Sequence, residues 1–417
     1  MMIPSADLAA RFDLRRLDAA FYDDPYPVYQ ALREHAPIKR MPDGSVLLTR
    51  YADVIAVYKD PKTFSSDKRE EFGPKYGTGS ELFEHHTTSL VFNDPPLHTR
   101  VRRLIAGALT PRHINAMEDG LVRLVDGLLD AMQARAARGE TVDLIEAFAA
   151  AILVEIIGNL LGVPHAERGP LRDWSLAILG ALEPAPDAAL QSRGNTAVRE
   201  MLVYLEGLVA RRTAAPRDPE TDVLTRLILG EVVAADGALE KLLAKELLHN
   251  CIFLLNAGHE TTTNLIGNGL KCLLDAPDQK RRLLAEPDLI KTAIEEFLRI
   301  ESSNQLGNRI TTCETTIGGV RLAPRTQVTL CIAAANRDPA QFENPDVLDI
   351  ARSPNRHVAF GSGIHQCVGM GLGRLEGRIA INRFLARFPD YRMNGPAVRS
   401  HRVRFRGHIA LPCNLLG

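Results

Sequence analysis

The run from Leu239 to Leu274 keeps helical periodicity over its whole length, which makes one helix of more than thirty residues, about 50 Å long at the standard rise. A helix of that length needs a large body to bury it. The chain supplies one, with 417 residues of which 45% are hydrophobic. Its formal charge of -1 carries no global nucleic-acid signature.

The same periodicity recurs at Tyr26–His35, Leu97–Ala106, Ile114–Ala136, Leu144–Leu161, Thr196–Arg212, Thr221–Leu229, Leu289–Arg299 and Met370–Phe388. The fold class expected is therefore mainly α. Short β-like pieces at Val46–Thr49, Thr316–Leu322 (turning at Gly318-Gly319) and Gln327–Ile332 make only a small β-rich portion, near the N-terminal third and around 315–332. No linker, low-complexity tract or repeat divides the chain, so 1–417 reads as a single domain with 1–24 as an N-terminal extension.

Ser65–Asn93, rich in Gly, Pro and Lys, and Glu183–Asn195, with its Pro-Ala-Pro and Gly194, read as irregular. Long irregular segments in a compact domain are often functional, so both are expected to line a substrate entrance. The N-terminus lacks a signal-peptide pattern, and Glu155 interrupts the most apolar stretch, Ala147 to Val163. Six cysteines without paired spacing suit a reducing cytoplasm.

FGSGIHQCVG, residues 360–369, sets Cys367 among glycines just before the helical run that starts at Met370. A thiolate is favoured at a helix N-terminus by free N–H groups and the helix dipole. Gly363 and Gly369 permit unusual backbone angles and a close approach to a flat partner. A phosphate loop, a nucleophilic cysteine and a plain tight turn remain alternatives, although the glycine spacing and the lack of Gly-Lys-Ser/Thr disfavour the first.

The middle of the long helix reads NAGHETTT, with Gly258 and three threonines that are poor helix formers, so a local bend or widening is expected there. Glu260 and Thr261 pair an acid with an alcohol, which can relay protons; the plainer alternative is an exposed Glu and a Thr bonded to its own backbone. In IEEFLRIES, Glu296 and Arg299 stand three apart and can pair.

In the order AGHETT, EFLR, FGSGIHQCVG, joined by NDPPLHTRVRR (93–103), AANRDP (334–339) and NRHVAFG (355–361), the chain resembles the bacterial cytochromes P450 from about Pro25 to its end. The resemblance implies a b-type haem (iron protoporphyrin IX) with Cys367 as its thiolate metal ligand. It implies further haem contacts from Ala257, Phe360, Gly361 and Gly369, and propionate contacts from His98, Arg102, Arg309 and His365. Glu260 and Thr261 would be the catalytic residues, feeding protons to bound oxygen.

By the same resemblance Glu296 and Arg299 belong to an ion-pair network behind the haem. Its usual third member is absent, because the corresponding stretch is Pro345-Asp346-Val347-Leu348, and Arg352 or Arg356 is the candidate replacement.

The implied activity is monooxygenation of a small organic substrate by O2, hydroxylation or O-dealkylation, in a monomer fed by a separate ferredoxin and its reductase. No dinucleotide fingerprint or iron–sulfur cysteine set lies in the chain itself. Arg102, Arg103, Arg352, Arg356, Arg374 and Arg378 flank the motifs of the cysteine side, where an acidic ferredoxin would dock. A peroxygenase, a non-catalytic haem sensor and a cysteine hydrolase are the rival readings. Pocket walls are expected from Ser65–Asn93, Trp174–Leu182, Leu254–Ala257, Ser302–Leu306 and Val403–Phe405, with Ser302, Asn304, Gln305, Lys68 or Arg69 orienting a polar end.

Overall fold

The computed structural model describes residues 4–233 and 239–416. Its axis is the helix Ala244–Asp275, uninterrupted over 32 residues and buried along most of its length. Helices Ala150–Leu161, Leu171–Gly180, Ala188–Ala214, Ile290–Ile300 and Met370–Arg387 surround it. Their apolar faces merge into one large core that includes Phe148, Ile252, Leu255, Ile266, Phe297 and Phe384.

A five-stranded sheet stands beside this body in the order 38–40, 46–48, 327–331, 306–311, 64–65. All its pairings are antiparallel except that of 46–48 with 327–331, where Val328 lies opposite Val46. Gly318 and Gly319, both at positive φ (51° and 83°), close the separate hairpin Thr315–Ile317 and Val320–Leu322. Only glycine takes two such angles in succession without strain. The N-terminal residues are not loose, since Ala9, Phe12 and Phe21 share a cluster with Tyr29 and Leu32.

Four expected helices differ in extent, the central one starting at Ala244 because Leu239–Glu240 pairs as a strand. Ile114–Ala136 divides into Pro111–Ala116, capped by Thr110, and Glu118–Ala136, because the chain tightens at Met117, whose N–H reaches back to Ile114. Leu144–Leu161 opens with a wider π-type turn over Ile145–Ala149, held by Asp143 accepting from the Ile145 N–H at 2.9 Å. The helix expected over Thr196–Arg212 runs from Ala188 to Ala214, its start capped by the Asp187 carboxylate.

That last difference removes most of the irregularity expected over 183–195. Gly194 sits within the helix, where a Cβ would press on Leu82 and Ala181; it lets two helices approach and does not mark a loop. Ser65–Asn93 likewise contains helices Arg69–Tyr76 and Glu81–Thr88, the second capped by Ser80. Gly73 and Pro74 mask the first of these in the sequence.

Behind the cysteine loop lies a buried ion network. Arg299 binds Glu296 through two hydrogen bonds of 2.8 Å, and neither side chain is exposed. The third member is Arg352, whose Nε stands 3.1 Å from both Glu296 oxygens; Arg356 is exposed and takes no part. Asn355 and the Asp349 N–H complete the carboxylate's shell at 3.0 Å each. Arg299 also donates to the carbonyls of Asn336 and Pro345, tying helix Ile290–Ile300 to the segment that leads into the cysteine loop.

Two predictions follow from these contacts. Removing one partner of a buried ion pair strands the other, at a cost of about 3–5 kcal/mol. Arg352→Ala is therefore expected to lower unfolding stability on that scale and to weaken haem retention, whereas Arg356→Ala leaves both near wild type in denaturant titrations.

The second concerns five of the six buried histidines, leaving His98 aside: His85, His86, His249, His259 and His408. Desolvation holds each below its ordinary value of 6.5, His86 and His408 at about 3 and His249 and His259 at about 4. The unfolded chain therefore binds more protons below that value, so stability is full above about pH 6.5 and drains as pH falls. Melting temperature should drop steeply from pH 7 to 5, and His259→Gln should make the drop shallower, each histidine contributing at most about 1.4 kcal/mol per pH unit.

Candidate functional site

The cysteine loop is shaped by its glycines. Gly361 and Gly363 stand at φ 66° and 69°, and a Cβ on Gly363 would run into the Tyr58 carbonyl. Gly369 differs from the expectation, with an ordinary φ of -88° as the residue before helix Met370–Arg387. Its contribution is an N–H that bonds the Cys367 sulfur. The Cys367 N–H in turn donates to the Phe360 carbonyl at 2.9 Å, closing the loop.

Cys367 is exposed, yet enough protein surrounds it that desolvation pushes the thiol upward. The Gly369 N–H, Arg102 and Arg374 oppose that rise. Arg374 lies over the Phe360 ring at 4.8 Å and pairs with Glu295 at 2.7 and 2.8 Å, which helps hold that carboxyl down at about 2.

The central helix shows an opening on one face. Ala257 is exposed, and Gly258 and Thr261 half-buried, between fully buried neighbours. Thr261 donates its hydroxyl to the Ala257 carbonyl at 2.9 Å, the backbone bond that is the plainer reading of a helical threonine. Its oxygen still faces the opening with lone pairs free to accept.

Glu260, by contrast, is buried, and both its oxygens accept from Arg402 Nη1 at 2.8 and 2.7 Å. Burial raises its pKa to about 7 against the pull of Arg402, with Glu183 adding to the rise. Desolvation outweighs the ion pair here, so the group changes charge near neutrality.

Two residues that sequence reasoning missed belong to this region. Arg402 anchors Glu260 to helix Leu171–Gly180 through the Leu176 carbonyl at 2.9 Å. Glu376, buried in the helix after the cysteine, lies near Thr262 and is raised by burial to about 8. Neither had a signal in the sequence: Glu376 is marked only by its burial, and only folding brings Arg402 to Glu260.

His98, Arg102, Arg309 and His365 converge as expected. The His98 and His365 rings lie 4.0 Å apart. Both ring nitrogens of His98 and Nε2 of His365 are buried without a partner in the protein. After desolvation, Arg309, His98 and Arg102 press His365 down to about 2, while burial and Arg102 hold His98 at about 4. Arg102 donates to the Gln366 carbonyl at 2.6 Å, and Arg309 lies over the Tyr58 ring at 5.2 Å.

Four donors crowded together with orphaned nitrogens call for an anion. Two carboxylates entering this cluster would satisfy the imidazoles and relieve the mutual repulsion of the cations. The residues present therefore fit a haem, with its two propionates, above the Cys367 sulfur.

Several polar residues expected to orient substrate are engaged internally. Lys68 pairs with Glu71 at 2.9 Å, Arg69 bonds Asn93, and Ser302 donates to the Leu298 carbonyl. Asn304 Oδ1 and Gln305 Oε1 have no partner in the protein.

Residues 188–389 match the family model for Cytochrome P450. The chain is 36% identical over 376 residues to the "Biotin biosynthesis cytochrome P450" of Bacillus subtilis, covering 89% of this chain and 90% of that one. It is 38% identical over 374 residues to "Vitamin D(3) 25-hydroxylase" of Pseudonocardia autotrophica, with 89% and 88% covered. The crystal structure of P450BioI, in complex with a hexadec-9Z-enoic acid ligated acyl carrier protein, superposes with a TM-score of 0.88 at 34% identity, over 95% of this chain and 100% of that one. Sequence relatives across nearly the full length, a shared fold and a cleft that fits haem lead to one conclusion: the chain belongs to the cytochromes P450 of bacterial type and is a haem-thiolate monooxygenase.

Proposed function

We propose that Cys367 is the thiolate that holds the haem iron, that His98, Arg102, Arg309 and His365 receive the propionates, and that Glu260 and Thr261 handle protons on the substrate side. The carrying observation is the cluster of four donors, with orphaned imidazole nitrogens, close to the exposed Cys367. Haem, when bound, supplies oxygen activation and one-electron chemistry.

The chain's own residues do the rest. Arg102 and the Gly369 N–H favour the charged sulfur, and Phe360 and Gly361 shape the loop around the macrocycle's face. Ala257 has the small side chain that a flat ligand needs beside the central helix. Thr261 accepts through its free lone pairs and, by turning its hydroxyl off the Ala257 carbonyl, donates. Glu260, poised at about 7, gives and regains a proton near neutral pH while Arg402 fixes the carboxyl in place.

Electrons come from a separate ferredoxin and its reductase. The docking surface is smaller than the arginine count suggests: Arg352 and Arg374 are committed to Glu296 and Glu295, and Arg102 bonds the Gln366 carbonyl. Arg103 and Arg356 are exposed and offer positive charge to an acidic partner.

Substrate enters between 65–93 and 183–195. A cavity of about 380 Å³ bordered by Lys75, Leu182, Leu306, Asn308 and Arg404 supports that route. Among the described residues no helix is long and apolar enough to cross a membrane, and the six cysteines are free, as a reducing cytoplasm would keep them.

Three outcomes are expected. The reduced, carbon-monoxide-treated protein gives the far red-shifted absorption of a thiolate-ligated haem, and Cys367→Ser abolishes it; an ordinary band from the wild type would sink the ligand assignment. Thr261→Ala keeps haem but diverts most reducing equivalents to peroxide, measured as peroxide formed per NADH consumed, whereas unchanged coupling would remove Thr261 from the proton route.

Glu376 supplies the third. Its folded pKa lies above the ordinary carboxylate value of 4.5, so its contribution to stability is full below that pH and is lost as pH rises towards 8. Relative to wild type, Glu376→Gln should therefore gain melting temperature as pH rises from 5 to 8, on top of the rise that the buried histidines give both proteins.

A further inference from the structure

We propose that the cavity beside helix Arg69–Tyr76 is a subsite for the carboxylate of an amphiphilic monocarboxylic acid, held by Lys75 and Arg404 with its first carbons on the apolar floor. The inference rests on the monooxygenase reading and the entrance given above, and it names the substrate class that the entrance admits.

The cavity, of about 380 Å³, changes character from outside to inside. Its rim is charged and exposed, with Arg15, Asp43 and Glu70, and its floor is the buried apolar set Met41, Leu182 and Leu306. Between rim and floor stand Lys75 and Arg404, both half-buried.

The acids of the lining are already engaged. Asp43 pairs with Arg15 at 2.7 Å, Glu70 with Arg325 at 3.0 Å and Glu71 with Lys68 at 2.9 Å, while Asp13 accepts from the Arg15 N–H at 3.0 Å. Glu183, close by, accepts the N–H groups of Val403 and Arg404 at 3.0 and 3.2 Å. The two cations are matched differently. Lys75 donates to the Glu183 carbonyl at 2.8 Å, and Arg404 to the carbonyls of Leu182 and Leu306 and to Asn308 Oδ1 at 3.2, 3.1 and 3.0 Å. All of these acceptors are neutral.

Both side chains have donors to spare. Lys75 uses one of its three N–H groups and Arg404 three of its five, which leaves two on each, and a carboxylate offers about four acceptor sites. Burial, and after it the neighbouring Arg404 charge, lowers Lys75 to about 8, with Glu71 and Glu183 pulling the other way. Two cations pressed together away from water favour an anion between them.

The charge count sets what kind of anion. Leaving aside Arg402, which Glu260 matches, the inner end brings Lys68, Lys75 and Arg404 against Glu71 and Glu183, three cations to two acids. One negative charge closes that balance. A phosphate monoester, with about -1.5 to -2 at neutral pH, would overfill it. The Cα of Arg404 is at most about 7 Å from that of Arg402, which clamps Glu260, so the anchor stands one short segment from the acid of the central helix.

The test compares decanoate with 1-decanol, two probes with one chain and different charge, on the holoenzyme by titration calorimetry. Wild type should bind the acid at least about tenfold more tightly, the scale of one charge-assisted anchor. Lys75→Met should remove that preference by weakening the acid and leaving the alcohol unchanged, and Lys75→Arg should keep it. In turnover with decanoate, Lys75→Met should raise KM with kcat near wild type.

Equal affinity for the two probes, no heat with either, or a preference that survives Lys75→Met would overturn the proposal, and decyl phosphate binding more tightly than decanoate would overturn the monoanion assignment. If Lys75→Met fails to fold, Lys75→Gln, which can still donate to the Glu183 carbonyl, takes its place. A wild type with the red-shifted carbon-monoxide band and no acid preference loses the subsite alone. One that prefers the acid but lacks that band keeps the subsite and loses the Cys367 assignment.

Discussion

The fold of the cysteine side depends on one buried carboxylate. Glu296 is held by Arg299 and Arg352, by Asn355 and by the Asp349 N–H, and Arg299 in turn binds three carbonyls of the neighbouring segment. Two charges out of water are costly unless every lone pair and N–H is matched. The match is made by residues from 336 to 355, so helix Ile290–Ile300 and the approach to Cys367 are fixed by the same contacts. The cysteine is thus placed by an interaction that never touches it.

Across the cleft, burial governs the chemistry. Glu260 has a guanidinium at ion-pair distance and still titrates near neutrality, because desolvation exceeds the attraction. Glu376, with only a threonine for company, goes further. The cluster of His98, Arg102, Arg309 and His365 is the complement: positive and neutral donors crowded together, with imidazole nitrogens that find no partner in the protein.

Much of this was legible in the chain. The glycine-set cysteine, the AGHETT helix and the EFLR pair led to the family, and the element list agreed with the fold to within a few residues for most helices. The misses have local and long-range causes, and helices Tyr51–Lys59, Leu171–Gly180 and Pro277–Ala285 were not expected at all. Gly73, Pro74 and Gly194 looked like breakers, but the first two lie within a short helix and Gly194 serves as a contact point between helices. Strand Leu306–Thr311 was hidden because its partners, 64–65 and 327–331, are remote in sequence.

The sequence by itself determined which chemistry is present: a lone cysteine before a helix, an acid beside an alcohol, and histidines and arginines at recognisable positions. Local spacing and residue type carry that information because ligand loops and caps are built from near neighbours. Only the tertiary structure decided which cation completes the Glu296 network, that Arg402 clamps Glu260, and that Lys75 and Arg404 border one cavity. Those facts depend on which distant segments are desolvated together, and burial is a property of the assembled fold.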